Sequence, residues 1–336
     1  MKAIVLRTLG EAENLRLEDV PDPQPEPHEA VIRLVAAALN HRDVWIRRGQ
    51  YAGIKLPIIL GSDGAGEVVA VGTDVDQSLI GRDVVLNPSL DWGANERVQG
   101  AEFRILGLPD NGTYAQLAKV PASNVHPKPD VLSFESAAAI PLASLTAYRA
   151  LVSRAQLRPG ETVLVTGIGG GVSSFALAIA KKLGARVFVT SGSDAKLERA
   201  RQLGADGGVN YHSQDWAKEI LALCGGEKPD VVIDSVGGET FAKAIEIVKP
   251  GGRIAIYGAT TGLPKEINLR RIFWNQINIL GSTMGTAQDF EQMLGLYSDG
   301  GLEPVIDQVF PLAEAAAAHR RMEEAEQFGK IVLRID

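Results

Sequence analysis

The chain has 336 residues, 45% of them hydrophobic and 22% charged, which suits two domains at roughly 150 residues each and cores of ordinary size. A net charge of −7 argues against a nucleic-acid or anionic-membrane partner. One cysteine, Cys224, excludes a disulfide framework or a thiolate zinc site within a single chain.

The opening MKAIVLR reads as a strand and lacks the apolar core of a signal peptide. No apolar run approaches the ~20 residues that span a bilayer, so a cytoplasmic location is expected. Up to about residue 125, short apolar runs (KAIVLR, AVIRLVAAALN, GAGEVVAVG, RDVVLN, TYAQLAKVP) are broken by turn residues, with PDPQPEPHE as a surface connection. This predicts a mainly β domain over residues 1–125 with long loops.

From about residue 126 the pattern changes. TVLVTG, RVFVTS, DVVIDSV, RIAIYG and INILGST alternate with amphipathic segments such as SSFALAIAKKLG and DAKLERARQLGAD. Apolar runs alternating with helices predict an α/β domain, a doubly wound parallel sheet covered on both faces, over 126–299. The later runs PVIDQVF and KIVLRID look like the first domain, so residues from about 300 to 336 are expected to complete it.

ETVLVTGIGGGVSSFALAIAKKLGA carries the clearest chemistry. A strand ends at Gly167, further glycines follow, and a helix opens near Ser173. Glycines there let the backbone turn sharply and a pyrophosphate approach the free N–H groups of the helix start. Gly167, Gly169, Gly170, Gly171 and Val172 are therefore candidate dinucleotide contacts, although Ser173 stands where the fingerprint has its last glycine. The alternative is a glycine-rich turn without a ligand.

About 20 residues further on, an acidic residue would hold the ribose of NAD. VFVTSGSDAKLER instead offers Ser191, Ser193 and Lys196, with Arg199 a turn beyond, which suits a 2′-phosphate and points to NADPH rather than NADH. The bland alternative is that Ser193 or Asp194 caps the next helix and Lys196 is a solvated lysine.

GSDGAGEVVAVG, AAAIPLASLTAYRAL, the glycine loop, DVVIDSVGGETF, GGRIAIYGATTG and the terminal GKIVLRID together resemble the medium-chain dehydrogenase/reductase superfamily, and within it the zinc-free quinone-oxidoreductase-like branch. The resemblance implies a GroES-like catalytic domain, a Rossmann cofactor domain and an active site in the cleft between them. In zinc-dependent relatives a cysteine stands at Asn40, before the histidine matching His41, and a histidine ligand is replaced here by Ser62. The region matching their structural-zinc lobe, within NPSLDWGANERVQGAEFRILGLPD, has no cysteine.

Catalytic zinc needs three protein ligands from Cys, His, Asp or Glu. His41, Asp43 and Asp63 are the candidates in these two stretches, and Asn40 and Ser62 are poor substitutes. No metal is therefore expected, and His41 and Asp43 are read as loop residues. Without zinc to polarise a carbonyl, a quinone or α,β-unsaturated carbonyl is the expected hydride acceptor, because its conjugation spreads the incoming charge.

Asn40 and Ser62 are the first candidates to contact the substrate oxygen, with Asp43 and Tyr51 nearby. Each has a plain alternative: turn former, helix cap or half-buried ring. The resemblance implies that Thr146 packs beside the nicotinamide and that Lys330 approaches the cofactor. Tyr257, Gly258 and Ala259 end a predicted sheet strand, where open α/β sheets bind ligands. INILGST, expected at a sheet edge, would join a homodimer near 277–283. Two other readings stay open: a zinc-type alcohol or aldehyde dehydrogenase with atypical ligands, and a non-catalytic NADPH-binding protein. The loops 40–57, 87–111 and 262–275 are expected to shape the substrate pocket.

Overall fold

EAVIRLVAAA, an apolar run at strand spacing, becomes the central strand Glu29–Ala38 in the computed structural model, which describes residues 1–336. Its sheet has seven strands: Val125–Pro127, Asp83–Leu86, Asp63–Val71, Glu29–Ala38, Lys330–Arg334 and Ile306–Pro311 in that order, with Leu117–Pro121 also paired to Glu29–Ala38. The C-terminal strand Lys330–Arg334 thus lies antiparallel beside a strand almost 300 residues earlier. Ile32, Leu34, Leu86, Tyr114, Ile331 and Leu333 fill the core beneath this sheet, each aliphatic side chain contributing roughly 1.5–3 kcal/mol by burial.

A separate unit carries six parallel strands in the order Gly207–Asn210, Arg186–Ser191, Thr162–Val165, Val231–Asp234, Arg253–Ile256, Asn278–Gly281. In chain order that is 3-2-1-4-5-6, the doubly wound arrangement whose switch point lies between its first and fourth strands. Thr162–Val165 and Val231–Asp234 are buried at every position, as central strands covered by helices on both faces must be. Asn278–Gly281 closes the sheet as a mostly exposed edge.

The chain divides at 145/146 and 284/285 rather than at the expected 125/126 and 299/300, and side-chain chemistry explains the difference. Helix Phe134–Ala139 buries Ala137, Ala138 and Ala139 and packs on strands of the first sheet. The Phe290 ring lies 4.8 Å from that of His126, Tyr297 and Ser144 share a buried 2.7 Å hydroxyl contact, and Ser89 Oγ donates to the Gly285 carbonyl at 2.6 Å. Both expected linker regions therefore belong to the first unit. The second correction concerns His41 and Asp43: residues His41–Arg47 form a helix, not a loop.

Candidate functional site

Asn40 starts that helix. Its extended backbone and the Asn-x-x-Asp spacing form a reciprocal cap, in which Asp43 Oδ2 accepts the Asn40 backbone N–H at 2.8 Å. The same oxygen accepts the Tyr114 hydroxyl at 2.8 Å, and Asp43 is fully buried. Burial pushes its carboxyl above the usual range, and burial beside Asp43 pushes the Tyr114 hydroxyl well up.

The Asn40 side chain faces a buried ion pair. Its Nδ2 donates to Asp63 Oδ2 at 2.9 Å, and its Oδ1 accepts from Lys330 Nζ at 2.8 Å. Lys330 Nζ also donates to Asp63 Oδ2 at 2.8 Å and to the Leu39 carbonyl at 2.7 Å, so all three ammonium protons are used. Asp63 Oδ1 accepts the Leu142 backbone N–H. Lys330, expected to approach the cofactor, has its charge buried against Asp63 and its three donors bonded inside the first unit.

Ser62 is fully buried. Its hydroxyl donates to the Leu106 carbonyl at 2.7 Å and accepts from Arg42 Nη1, also at 2.7 Å. Arg42 Nη1 reaches the Leu106 carbonyl too, at 2.9 Å, and its guanidinium lies 5.2 Å from the centre of the half-buried Tyr51 ring. His41 is exposed, its ring 6.1 Å from that of Trp45. The expected residues Asn40, Asp43, Tyr51 and Ser62 thus lie around two basic groups: Arg42, which sequence reasoning did not name, and Lys330, which it assigned to the cofactor.

In the second unit the glycine loop links Thr162–Val165 to helix Gly171–Lys182, with Gly170 as its N-cap. Gly167 and Gly169 have φ of +65° and +128°, left-handed values that favour glycine. The Ser173 hydroxyl, in the place of the last glycine, ties the loop by donating to the Gly167 and Gly170 carbonyls. Helix N-terminal N–H groups with the dipole behind them suit a pyrophosphate.

Lys196 crosses this loop: a Cβ added at Gly169 would stand 2.7 Å from Lys196 Cδ and 3.2 Å from its Nζ. Ser191 is buried and Ser193 caps helix Asp194–Gln202. Beside them, the Tyr211 hydroxyl and His212 Nε2 would meet a Cβ on Gly192 at 2.6 and 2.9 Å. Tyr211 and His212 were missed in the sequence because they follow the next strand, some 20 residues on. Parallel pairing of Ser191 with Asn210 brings the two strand ends together.

Asp234 ends a neighbouring strand, accepting from Thr166 Oγ1 and the Gly237 backbone N–H, and burial raises its carboxyl. Tyr257 follows the strand Arg253–Ile256, its backbone N–H bonded to the Asp234 carbonyl. Gly258 lies against Ser235, and Ala259 against Gly237. Thr146 is buried in helix Pro141–Tyr148.

Residues 26–130 match the alcohol dehydrogenase GroES-like domain family and residues 171–299 the zinc-binding dehydrogenase family. The chain is 36% identical over 341 residues to the zinc-type alcohol dehydrogenase-like protein YogA of Leptosphaeria maculans, with 96% of this chain and 94% of that protein covered. The chain belongs to the medium-chain dehydrogenase/reductase superfamily. Within the superfamily, the quinone oxidoreductase of Pseudomonas aeruginosa is 33% identical over 99% of both chains. A crystal structure of a protein described as an NAD-dependent alcohol dehydrogenase superposes with a TM-score of 0.95 at 45% identity over the full length of both. Like these superfamily members, the chain is an NAD(P)-dependent oxidoreductase, and no helix in it is long and apolar enough to cross a membrane.

Proposed function

We propose that this protein transfers a hydride from NADPH to an activated acceptor, a quinone or an α,β-unsaturated carbonyl, without a metal ion. The observation that carries this reading is the buried Lys330 ammonium between Asn40 and Asp63. A fixed positive charge hydrogen-bonded to Asp63, one of the three candidate ligands, and to Asn40, which stands at a ligand position of zinc-dependent relatives, repels a dication at short range. Of the remaining candidates, Asp43 is committed to the helix cap and Tyr114, and His41 points to solvent. No group of three or more His, Cys, Asp or Glu is placed to hold a metal, so the zinc implied by the family description does not fit these residues.

NADPH supplies the hydride. The glycine loop and the start of helix Gly171–Lys182 would hold its pyrophosphate, and Ser193, Lys196 and Tyr211 its 2′-phosphate. On the acceptor, the added electron pair ends on the carbonyl oxygen. Fixed donors aimed at that oxygen stabilise it without reorganisation. Tyr51, half-buried on an exposed loop, is the expected residue at the acceptor, while Asn40, Asp43 and Ser62 hold the neighbouring charges in place.

The test is NADPH and NADH oxidation by chelator-treated protein of measured metal content against quinones, enones, aldehydes and ketones. Turnover that prefers NADPH and conjugated acceptors and survives chelation is the expected result. A second reading, NADH-linked alcohol chemistry, is favoured by the 45% identical structure described as an NAD-dependent alcohol dehydrogenase; alcohol turnover lost on chelation would establish it instead. Lys196→Ala is expected to weaken NADPH binding about tenfold, the worth of one charge-assisted contact, and to leave NADH binding unchanged. Equal effects on both cofactors would remove Lys196 from the 2′-phosphate site.

We also propose a homodimer in the cytoplasm. The edge strand Asn278–Gly281 offers an unpaired ladder, and Leu269, Phe273 and Trp274 are exposed on the helix just before it. Ile279→Lys is expected to convert a dimer to a monomer in sedimentation velocity. A wild-type monomer would refute the assembly.

A further inference from the structure

The first unit buries three strongly basic side chains, Arg42, Arg47 and Lys330. Two have carboxylate partners: Lys330 bonds Asp63, and Arg47 bonds Glu323, its remaining donors reaching the Gly10 carbonyl and His319 Nδ1. His319 is a neutral acceptor there, because burial and the adjacent Arg47 push its pKa down to about 3.

Arg42 is built differently. Its Nη1 bonds only uncharged groups, the Ser62 hydroxyl and the Leu106 carbonyl. Its Nε is buried without a hydrogen-bond partner, although the side chain is only 6% exposed. Asp43 provides no direct bond: its Oδ2 is occupied by Asn40 and Tyr114, and its Oδ1 is buried without a hydrogen-bond partner. Arg42 nevertheless pulls the buried Asp43 carboxyl down against the effect of its burial, so the guanidinium has a counter-charge beside it without a bond to it. Most of the Arg42 fork is held rigidly, by Ser62, Leu106 and the face of Tyr51, so an incoming anion would find it in position.

Tyr51 is half-buried, the residues after it, Ala52 and Gly53, are exposed, and the helix carrying Arg42 begins at the exposed His41. We infer that Arg42 is an oxyanion-binding residue, whose free guanidinium N–H groups hold the acceptor oxygen that becomes an enolate or phenolate when hydride adds to its conjugated system. Ser62 and the Leu106 carbonyl position it, and the Tyr51 ring covers it.

This inference rests on the proposed hydride transfer and names the group that receives its charge. The electrons balance simply. Hydride adds to a conjugated carbon with its electron pair, the displaced π pair moves to the carbonyl oxygen opposite Arg42, NADPH becomes NADP⁺, and a solvent proton later neutralises the anion.

The experiment uses 4-nitrophenol, whose ionised and neutral forms differ in absorbance, bound to the full-length protein in the presence of NADP⁺. Wild type is expected to favour the phenolate at least tenfold over the phenol, seen as an acidward shift in the titration of the bound probe. Arg42→Gln is expected to abolish that preference, while NADPH binding and the unfolding midpoint stay near wild type. Arg42→Lys keeps the charge without the fork and is expected to fall between them.

An unchanged preference in Arg42→Gln overturns the inference. So does the absence of any phenolate preference in wild type, whatever the stability of the variants. Because the probe is not turned over, a protein that binds phenolate through Arg42 yet reduces no conjugated acceptor would sink the proposed reaction and spare the anion site.

Discussion

Replacing Lys330 by methionine is expected to destabilise the fold by about 3–5 kcal/mol, the range for removing one partner of a buried ion pair. The ammonium reaches Asp63, Asn40 and the Leu39 carbonyl. Asp63 is 0% exposed, so without Lys330 its carboxylate keeps only the Asn40 amide and the Leu142 backbone N–H. Methionine conserves much of the volume, which separates loss of charge from loss of packing. Urea denaturation gives the measurement, with a change under about 1 kcal/mol contradicting the argument. Asp63→Asn combined with Lys330→Met is expected to cost less than the sum of the singles, because the first change has already removed the stranded charge.

Gly169→Ala is expected to weaken NADPH binding at least tenfold. Its φ of +128° lies where an L side chain is strained, at roughly 1–3 kcal/mol. The new methyl group would also stand 2.7 Å from Lys196 Cδ, displacing the ammonium proposed to meet the 2′-phosphate. Gly53→Ala is the control: its φ is +71° but nothing lies within 4 Å of an added Cβ, so it carries the strain without the collision. Fluorescence titration with NADPH should separate the two variants. Equal affinities would mean that the loop relaxes around the methyl group and that Lys196 is not held by it.

Local chemistry made much of the cofactor domain legible in the sequence. Each buried strand is a short apolar run, the glycine loop stands at a strand-to-helix junction, and the order of the segments implies a doubly wound sheet that the structure contains. Asp43 was weighed as a helix cap, but the reciprocal Asn40–Asp43 spacing was not read and a loop was expected, because a seven-residue helix shows too few turns of periodicity. The domain limits were misread because alanine-rich Phe134–Ala139 looks like the start of the next domain until its buried face is seen against the first sheet.

What only the tertiary structure decided is the fate of the charges at the candidate site. Lys330 is 267 residues from Asp63 and 290 from Asn40, and no local pattern links them. Arg42 sits between His41 and Asp43 in the chain, but one neighbour faces solvent while Arg42 and Asp43 are enclosed. Short-range patterning determines strands, caps and glycine turns, because those depend on neighbours a few residues away. Whether a buried charge is neutralised, or left open for a ligand, depends on groups that only the folded chain brings within 3 Å.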